Sequence, residues 1–529
     1  MPNSFSFENS FNAFDTLISS VKIDIKKKVF SVLGYSESAI IKRLMQRFVE
    51  LEQYPFRRRF IKNPVQEREL VFKGELIKLD YIKYDSLNGE ISVKASYLGK
   101  SIIKFLIQWF YVLLFHIEAL FFFTKKYNNK STIVFGVDIP PLFDYINKDK
   151  EFIVFCKNGP IAPLNDASSL IVECKQNYIS KQPNYIQYHN NPLRILIRRN
   201  GISITDFLFF VALHVKSAFL YFKSIFSFSL MAILDIDFAQ HAMIVNLDKK
   251  RSIESIVTTV SNIFSQPLWM SSLLNKSFRS HMVWYSQNSM FLFTNETGVF
   301  KHVDPVFSYI MVDESWVWTK GFTDQLKIKG VCGIFHEVGP ITWNLPRQEK
   351  TSIISSSLHV CIFDITPGND KIAETIGVAR LDSSSLSKEY ERFDYLNPKT
   401  ISKFVTDIVS TVKLLESENG RKISVSLKHK REHAEKHDKR YLNLIKNMVN
   451  NDEISLIDPR VNLYSLISNI DVAIMVPYTS VAYVADSLNV PSIYFDPNQE
   501  VIPIYEETNN IAFASGKDDL KEKLRILFS

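Results

Sequence analysis

Two short polar stretches in the C-terminal third carry side chains that suit the binding of a phosphate. They are the turn of Pro477, Tyr478, Thr479 and Ser480 and the loop of Lys428, His429, Lys430 and Arg431. Each directly follows an apolar run typical of a strand buried on both faces. The turn offers hydroxyls and backbone N–H groups at a predicted helix start, and the loop offers charge-assisted hydrogen bonds. Ligands of parallel α/β sheets bind at the carboxyl ends of strands, so both stretches are predicted to contact one phosphate or diphosphate.

Other interpretations of these stretches are open. The turn also fits an ordinary helix N-cap, and the loop also fits a solvated, mixed-charge helix start. His429, His433 and His437 have the spacing of one helix face, which suits a metal ion, but the neighbouring basic residues would repel a cation. No metal and no cofactor are therefore predicted.

The elements that position these residues follow from apolar runs that alternate with helical patterns. One such series begins at residue 131 and a second at residue 350. Alternation of this kind predicts parallel, doubly wound sheets. The predicted fold class is α/β, with two Rossmann-like doubly wound domains that face a cleft. The predicted divisions are an N-terminal extension over 1–130, a first domain over 131–345 and a second domain over 350–529.

Two apolar segments, 101–123 and 207–234, interrupt this pattern. Each is long enough to span a bilayer, but polar residues such as Lys104, His116 and Lys216 break them. Three interpretations are open: transmembrane helices, buried core helices, and helices that lie in the membrane interface. The last is favoured, because lysines can snorkel and nearby basic residues can meet anionic headgroups.

The amino-acid composition is that of a globular protein. The 529 residues are 46% hydrophobic and 22% charged, which indicates a globular chain of several domains. The net charge of +7 is spread along the chain, so no nucleic-acid partner is predicted. The four cysteines are far apart in apolar runs, which predicts free thiols in a reducing cytoplasm. The N-terminal residues lack the pattern of a secretory signal.

The segment from Asp471 to Pro497 reads DVAIMVPYTSVAYVADSLNVPSIYFDP, which predicts a strand, a turn, a helix and a second strand. It resembles the C-terminal donor-binding motif of GT-B-fold bacterial surface-polysaccharide enzymes, namely the capsule Kdo transferases and the teichoic-acid type glycerophosphate polymerases. In those families the turn binds the phosphate of a CMP- or CDP-activated donor. The strand–helix order over 350–529 is consistent with this resemblance, whereas the N-terminal half matches only in general pattern.

Two details depart from those families. The Kdo transferases have a basic loop at the place of residues 428–431, but with a His-Pro dipeptide, whereas Lys430 follows His429 here. The polymerases have a Trp-His-Gly element where this chain has Trp284 followed by Tyr285 and Ser286. The role of that histidine therefore has no counterpart in this sequence.

The remaining polar candidates fall into a donor-side set and an acceptor-side set. Asp364 and Thr366 follow the apolar run 358–363 and are predicted to contact the donor. The acceptor-side candidates lie at or near the ends of predicted strands, and they are Asn288, Asp313, Glu314 and Glu337. One carboxylate is a candidate general base for an acceptor hydroxyl, although each residue alone also fits a structural role.

The predicted function is that of a glycosyltransferase that uses a nucleotide-activated donor, with CMP or CDP favoured. The predicted acceptor is a lipid-linked surface glycan of capsule, O-antigen or a related polysaccharide. The predicted location is cytoplasmic, at the inner face of the cell membrane, with the two apolar segments on the membrane surface. The alternatives are a CDP-polyol phosphotransferase of the same fold and a non-catalytic scaffold.

Overall fold

The computed structural model describes most of both predicted sheets. The described residues are 35–48, 82–85, 90–121, 130–136, 159–173, 186–259, 266–271, 276–284, 309–328, 330–341, 357–365, 367, 398–430, 437–499, 501 and 510–529. The predicted division between the two domains, at residues 345–350, lies outside them.

The first half of the described chain contains a seven-stranded parallel sheet. Its strands are β3 Ser131–Phe135, β4 Leu170–Glu173, β5 Ile186–His189, β6 Ile253–Thr259, β7 Arg279–Val283, β8 Glu314–Val317 and β9 Ile334–Glu337, preceded by the antiparallel hairpin of β1 Ile82–Asp85 and β2 Glu90–Val93. The strand order is β5-β4-β3-β6-β7-β8-β9. The chain therefore winds outward in both directions from β3, which is the doubly wound arrangement.

Helices flank this sheet. They are α1 Glu37–Phe48, α2 Ala95–Phe121, α3 Ala162–Asn165, α4 Pro192–Asn200, α5 Ile204–Ser227, α6 Asp235–Lys249, α7 Leu268–Ser271 and α8 Lys320–Ile328, with a 3₁₀ helix Ser229–Leu234 directly before α6. The predicted apolar segment 207–234 is therefore two elements, because the backbone of Phe228 turns extended and ends α5.

The second half contains a six-stranded parallel sheet. Its strands are β10 Leu358–Phe363, β11 Ile423–Lys428, β12 Ser455–Ile457, β13 Val472–Met475, β14 Ser492–Asp496 and β15 Ile511–Ser515, and its helices are α9 Pro398–Asn419, α10 Lys439–Asn450, α11 Leu463–Ile467, α12 Val481–Ser487 and α13 Gly516–Phe528. The order β12-β11-β10-β13-β14-β15 repeats the doubly wound pattern. The predicted α/β fold class of two Rossmann-like units is confirmed.

Periodicity explains why the second sheet forms. All four side chains of β13 are buried, as expected of a strand covered by helices on both faces. Helix α9 buries a stripe at three- and four-residue spacing, which comprises Ile401, Phe404, Val405, Ile408, Val412 and Leu415. This stripe and the strands share one apolar core, so the carboxyl ends of β10, β11 and β13 are held at fixed positions.

Among the described residues, three helical stretches are long and apolar enough to cross a membrane: α2, α5 and the run Ser229–Lys249. The last is 83% buried, so it is a core element. The most apolar windows of α2 and α5 are only 22% and 28% buried. Helices α2 and α5 therefore bury one face and expose the rest, whereas the end of the second predicted segment is a core element.

Two of the polar residues that interrupt these helices, His116 of α2 and His214 of α5, pack between them. The imidazole of His214 stacks on the indole of Trp109, with ring centroids 4.4 Å apart. Each of these two rings also hydrogen-bonds to the backbone carbonyl of the other residue, at 3.1 and 2.9 Å. These contacts join the inner faces of the two helices, and large apolar side chains including Phe110, Phe121 and Phe219 cover the outer faces.

Candidate functional site

A cleft of about 200 Å³ opens at the carboxyl end of the C-terminal sheet. It is lined by residues that follow β10, β11 and β13, and they are Phe363, Asp364, Lys428, His429, Lys430, Leu463, Thr479, Ser480 and Val481. The basic loop and the hydroxyl turn are about 50 residues apart in sequence. They meet in one cavity because β11 and β13 lie on the two sides of β10 in the sheet.

A buried carboxylate organises the base of this cleft. The Asp364 side chain has no exposed surface, and its Oδ2 atom lies 2.7 Å from His429 Nδ1. The same oxygen accepts a hydrogen bond from Tyr441 Oη at 2.7 Å, and Oδ1 accepts one from Lys430 N at 3.0 Å. Burial, together with the negative charge of Asp364, raises the pKa of Tyr441 well above its usual value, so the phenol stays a donor.

This network fixes the orientation of the His429 ring. A carboxylate only accepts hydrogen bonds, so His429 Nδ1 carries the hydrogen and Nε2 is the ring atom left for another partner. His429 lines the cleft with 13% of its side chain exposed. Asp364 therefore orients His429, and its own side chain has no exposed surface.

The two lysines of the loop lie differently. Lys428 ends β11 and donates from Nζ to the carbonyl of Pro459 at 2.7 Å, which holds its ammonium beside the cleft. Lys430 is exposed, and its backbone is fixed by the bond to Asp364. Apart from Asp364, the described residues of the lining include no acidic side chain, so this part of the cleft has an excess of positive charge.

The turn after β13 presents only part of its sequence to the cleft. Tyr478 adopts the left-handed conformation with φ of 61°, and its ring is buried against Tyr494 and Phe513. Pro477 is also buried. The structure therefore brings the side chains of Thr479 and Ser480 to the cleft, and it leaves those of Pro477 and Tyr478 in the core.

The predicted helix cap differs from the observed one. Ser480 occupies the N-cap position of α12, but its hydroxyl makes no capping hydrogen bond. Thr479 instead donates its hydroxyl to the carbonyl of Val476 at 3.0 Å. Helix α12 has only seven residues, so the charged side chains of the loop are the main source of anion attraction in the cleft.

The acceptor-side predictions for Asp313 and Glu314 are not supported by their positions. The apolar run 309–312 lies before the strand, because β8 begins at Glu314. Both carboxylates therefore lie at the amino end of β8, at the opposite edge from the ligand-binding one. Strand β8 begins with the polar residues Glu314 and Ser315. The apolar run before it therefore indicated the wrong position for the strand.

Both carboxylates are held by neighbouring side chains. Asp313 Oδ2 pairs with Lys276 and accepts from the backbone and hydroxyl of Ser280. Glu314 is nearly buried and pairs with Arg279 and His336. Burial opposes its ionisation, but these hydrogen bonds lower the pKa of Glu314 below its usual value. Their contacts indicate structural roles.

The remaining candidates are more dispersed. Glu337 ends the edge strand β9 at its carboxyl end and is exposed. Asn288, Thr366 and Arg431 lie outside the described residues, as does His433. In the part of the chain that the structure describes, no three His, Cys, Asp or Glu side chains cluster closely enough to hold a metal ion.

Sequence comparison assigns the chain to a family. The family described as polysaccharide biosynthesis PFTS motif protein matches residues 220–524, which include most of both sheets and the cleft. This is more than half of the chain, so the protein belongs to that family. No curated protein sequence matches the chain significantly.

Several solved structures are similar at low identity. The UDP-GlcNAc 2-epimerase from Methanocaldococcus jannaschii is 13% identical, with a TM-score of 0.39 over 76% of this chain and 93% of that one. The wall teichoic acid polymerase TagF is 12% identical, with a TM-score of 0.34 over 81% and 88%. The lipopolysaccharide outer core galactosyltransferase WaaB is 10% identical, with a TM-score of 0.34 over 75% and 90%.

Proposed function

We propose that this polysaccharide biosynthesis protein is a glycosyltransferase that binds a nucleotide-activated donor in the cleft between residues 428–430 and 479–480. The observation that carries the proposal is the meeting of Lys428, His429 and Lys430 with two hydroxyl residues at the carboxyl edge of the sheet. Cationic and hydroxyl donors around a small cavity suit the phosphate groups of a nucleotide. CMP- and CDP-linked donors are favoured by the resemblance of the segment 471–497.

The proposed chemical role of the cleft is to stabilise the nucleotide phosphate as it leaves. Negative charge on that phosphate increases as the sugar–oxygen bond breaks, and donors that are already oriented stabilise it without reorganisation. Nδ1–H of His429 stays on Asp364, which leaves Nε2 as the ring atom that contacts a phosphate oxygen. Ser480 adds a hydroxyl from the other wall, whereas Thr479 donates its own hydroxyl to the carbonyl of Val476.

We also propose that α2 and α5 lie on the cytoplasmic surface of the membrane, where a lipid-linked glycan acceptor is available. Large apolar side chains cover their outer faces, and Lys216 and Lys223 are exposed on α5. Such a pair of helices suits a position at the headgroup boundary, with apolar side chains toward the acyl chains and lysines toward anionic headgroups. Their packing on α6 ties this surface to the N-terminal sheet.

Nucleotide-dependent thermal stabilisation tests the donor site. The full chain is heated with CMP, CDP, UDP or GDP, alongside the variants His429→Ala and Lys430→Ala. A ligand at 100 times its Kd stabilises by about 2.7 kcal/mol, which is roughly 5–10 °C in Tm for a domain of this size. Lys422→Ala is the matched control for Lys430→Ala, because Lys422 is an exposed lysine at the opposite end of β11.

Stabilisation by CMP or CDP that is lost in His429→Ala and Lys430→Ala but kept in Lys422→Ala supports the proposal. Stabilisation by UDP or GDP alone, lost in the same variants, supports the site and overturns the donor class. No response to any nucleotide from folded protein would overturn the transferase proposal and favour the scaffold alternative.

A further inference from the structure

A second cavity, of about 420 Å³, lies in the N-terminal half and includes none of the sequence-predicted site residues. Phe135 ends β3, Glu173 ends β4, and Asn190 follows β5, so the cavity lies at the carboxyl edge of that sheet. Helices α1, α6 and α7 complete its walls.

Its place in the topology is that of a ligand site. Strand β3 comes first in the sheet, and β4 and β6 lie on its two sides. The strand order therefore reverses beside β3, and ligands of open α/β sheets bind in the crevice at such a point. The C-terminal cleft lies at the equivalent point of its own sheet, beside β10.

The charges around the second cavity are balanced. Arg43 Nε lies 3.1 Å from Asp237 Oδ2, and Arg47 lies 3.5 Å from Asp235. Lys104 also pairs with Asp235, at 3.8 Å. With Glu173, the described residues in and directly behind the wall supply three carboxylates and three cations. Both arginines of the lining are paired with carboxylates, which weakens their attraction for a phosphate.

Asp235 and Asp237 are the pair that fits a DxD pattern, and they begin α6 as buried residues. Asp237 Oδ1 also accepts from the backbone N–H of Leu268 at 2.7 Å, which fixes α7 against α6. Both oxygens of Asp237 are therefore used by Arg43 and the backbone, and Oδ1 of Asp235 accepts from the backbone N–H of Ile236. This arrangement gives them a structural role in shaping the cavity wall.

The lining offers hydrogen bonds in several directions and aromatic surface. Gln240 Oε1 accepts from the indole of Trp269 at 3.1 Å, which sets the direction of its NH2 group. Glu173 supplies an acceptor, and Asn190 supplies both donor and acceptor. The rings of Phe135 and Trp269 lie 6.0 Å apart in the wall. Amides, a carboxylate and aromatic faces without excess charge suit a polyhydroxylated, uncharged ligand.

We propose that this cavity binds an uncharged sugar residue of the acceptor glycan. That the sugar belongs to an acceptor rests on the proposed transferase function. Sugar binding itself can be measured without a donor and without turnover. Arg194, next to the lining residue Leu193, pairs with Glu118 of α2 at 2.8 Å. The cavity is therefore joined to the proposed membrane-surface helix, as a site for a membrane-borne acceptor requires.

Saturation-transfer NMR on the full chain tests the inference. The probes are galactose, N-acetylglucosamine and lactose at about 10 mM, which detects dissociation constants in the millimolar range. Glucuronate and inorganic phosphate serve as charged competitors. Asn190→Ala and Glu173→Gln alter the lining with little change of volume. Asn165→Ala is the matched control, because Asn165 is an exposed asparagine in the same half of the chain and outside the cavity.

We expect at least one uncharged sugar to bind, with affinity about fivefold weaker in Asn190→Ala and about tenfold weaker in Glu173→Gln. Asn165→Ala should bind as the unmodified protein does. Sugar binding that both cavity variants leave unchanged would place the ligand elsewhere and overturn the inference, and so would displacement of sugar by phosphate at equal concentration.

The failure of this inference is separable from that of the transferase proposal. Nucleotide stabilisation without any sugar binding would leave the donor site in place and refute the sugar site. Sugar binding that needs Asn190 and Glu173, without any nucleotide response, would support the sugar site and refute the transferase proposal.

Discussion

Replacing Asp364 with asparagine tests whether the buried carboxylate works through His429. The carboxylate accepts from His429 Nδ1 and Tyr441 Oη, both at 2.7 Å, and from Lys430 N at 3.0 Å. Asparagine places one oxygen and one NH2 group in the same space, so at least one of the three donors then faces another donor. Since the Asp364 side chain has no exposed surface, solvent does not replace the lost partner.

The expected cost has two separable parts. A buried donor left without a partner costs about 1–3 kcal/mol of the stability of the C-terminal domain. A histidine that is no longer oriented loses its contact with the nucleotide phosphate, which is worth about 1.5–3 kcal/mol, or roughly 10- to 150-fold in Kd. Asp364→Asn should therefore lower both the Tm and the affinity for CDP.

A double-mutant cycle measured by isothermal titration calorimetry isolates the coupling. The proteins are the unmodified chain, Asp364→Asn, His429→Gln and the double variant. If Asp364 acts through His429, the two losses overlap, and the double variant binds CDP within about 0.5 kcal/mol of the weaker single variant. Asp458→Asn is the control, because Asp458 is a half-exposed carboxylate of the same domain outside the cleft. Fully additive losses would refute the reasoning, as would unchanged CDP affinity in a destabilised Asp364→Asn protein.

Three further predictions concern the rest of the molecule. Phe219 is 66% exposed on α5, so Phe219→Ser should weaken binding to phosphatidylglycerol vesicles roughly tenfold without lowering the Tm; equal vesicle binding would contradict the membrane surface. Burial, with a smaller contribution from Lys216, lowers the pKa of His241 to about 4, so the stability it confers is complete above pH 6.5 and falls as the pH drops toward 4. Denaturant unfolding should therefore lose about 2 kcal/mol between pH 6.5 and pH 5 through His241 alone, and His241→Gln should lose less. Trp318 packs edge-to-face on Tyr483 across the two halves, with ring centroids 6.1 Å apart. Trp318→Ala should therefore lower the free energy of unfolding by about 3 kcal/mol and give separate calorimetric transitions for the two halves. A single unchanged transition would argue against this contact as the link between the halves.

The strands and turns around the cleft could be predicted because each signal is local. Val472 to Val476 is an uninterrupted apolar run that ends at a proline, and the helix and strand after it have their own periodic patterns. The general rule for parallel sheets then places the loop after β11 and the turn after β13 on one edge. The structure brings the two together as that rule requires.

The roles of particular side chains were harder to predict, since they depend on contacts between distant residues. Asp364 has an ordinary place after a strand, and only the fold puts Tyr441 and His429 on its two sides. Tyr478 has the letters of a ligand-binding turn, but its left-handed backbone directs its ring into the core. Strand β8 begins with polar residues and follows an apolar run. The prediction placed Glu314 after that run, at the end of a strand, whereas Glu314 lies at the amino end of β8.

The second cavity shows why a whole class of site escapes sequence inspection. Arg43, Glu173 and Gln240 come from three elements that are far apart in sequence, so no spacing marks them as one site. The fold makes them neighbours because the strand order reverses beside β3, as it does beside β10 in the other sheet. The same topology therefore creates two crevices, and the charge of the residues that follow the strands decides their ligands. An excess of cations after β11 suits a phosphate, whereas paired arginines and carboxylates beside β3 suit hydroxyl groups. A transferase that joins a nucleotide-activated sugar to a glycan needs one crevice of each kind.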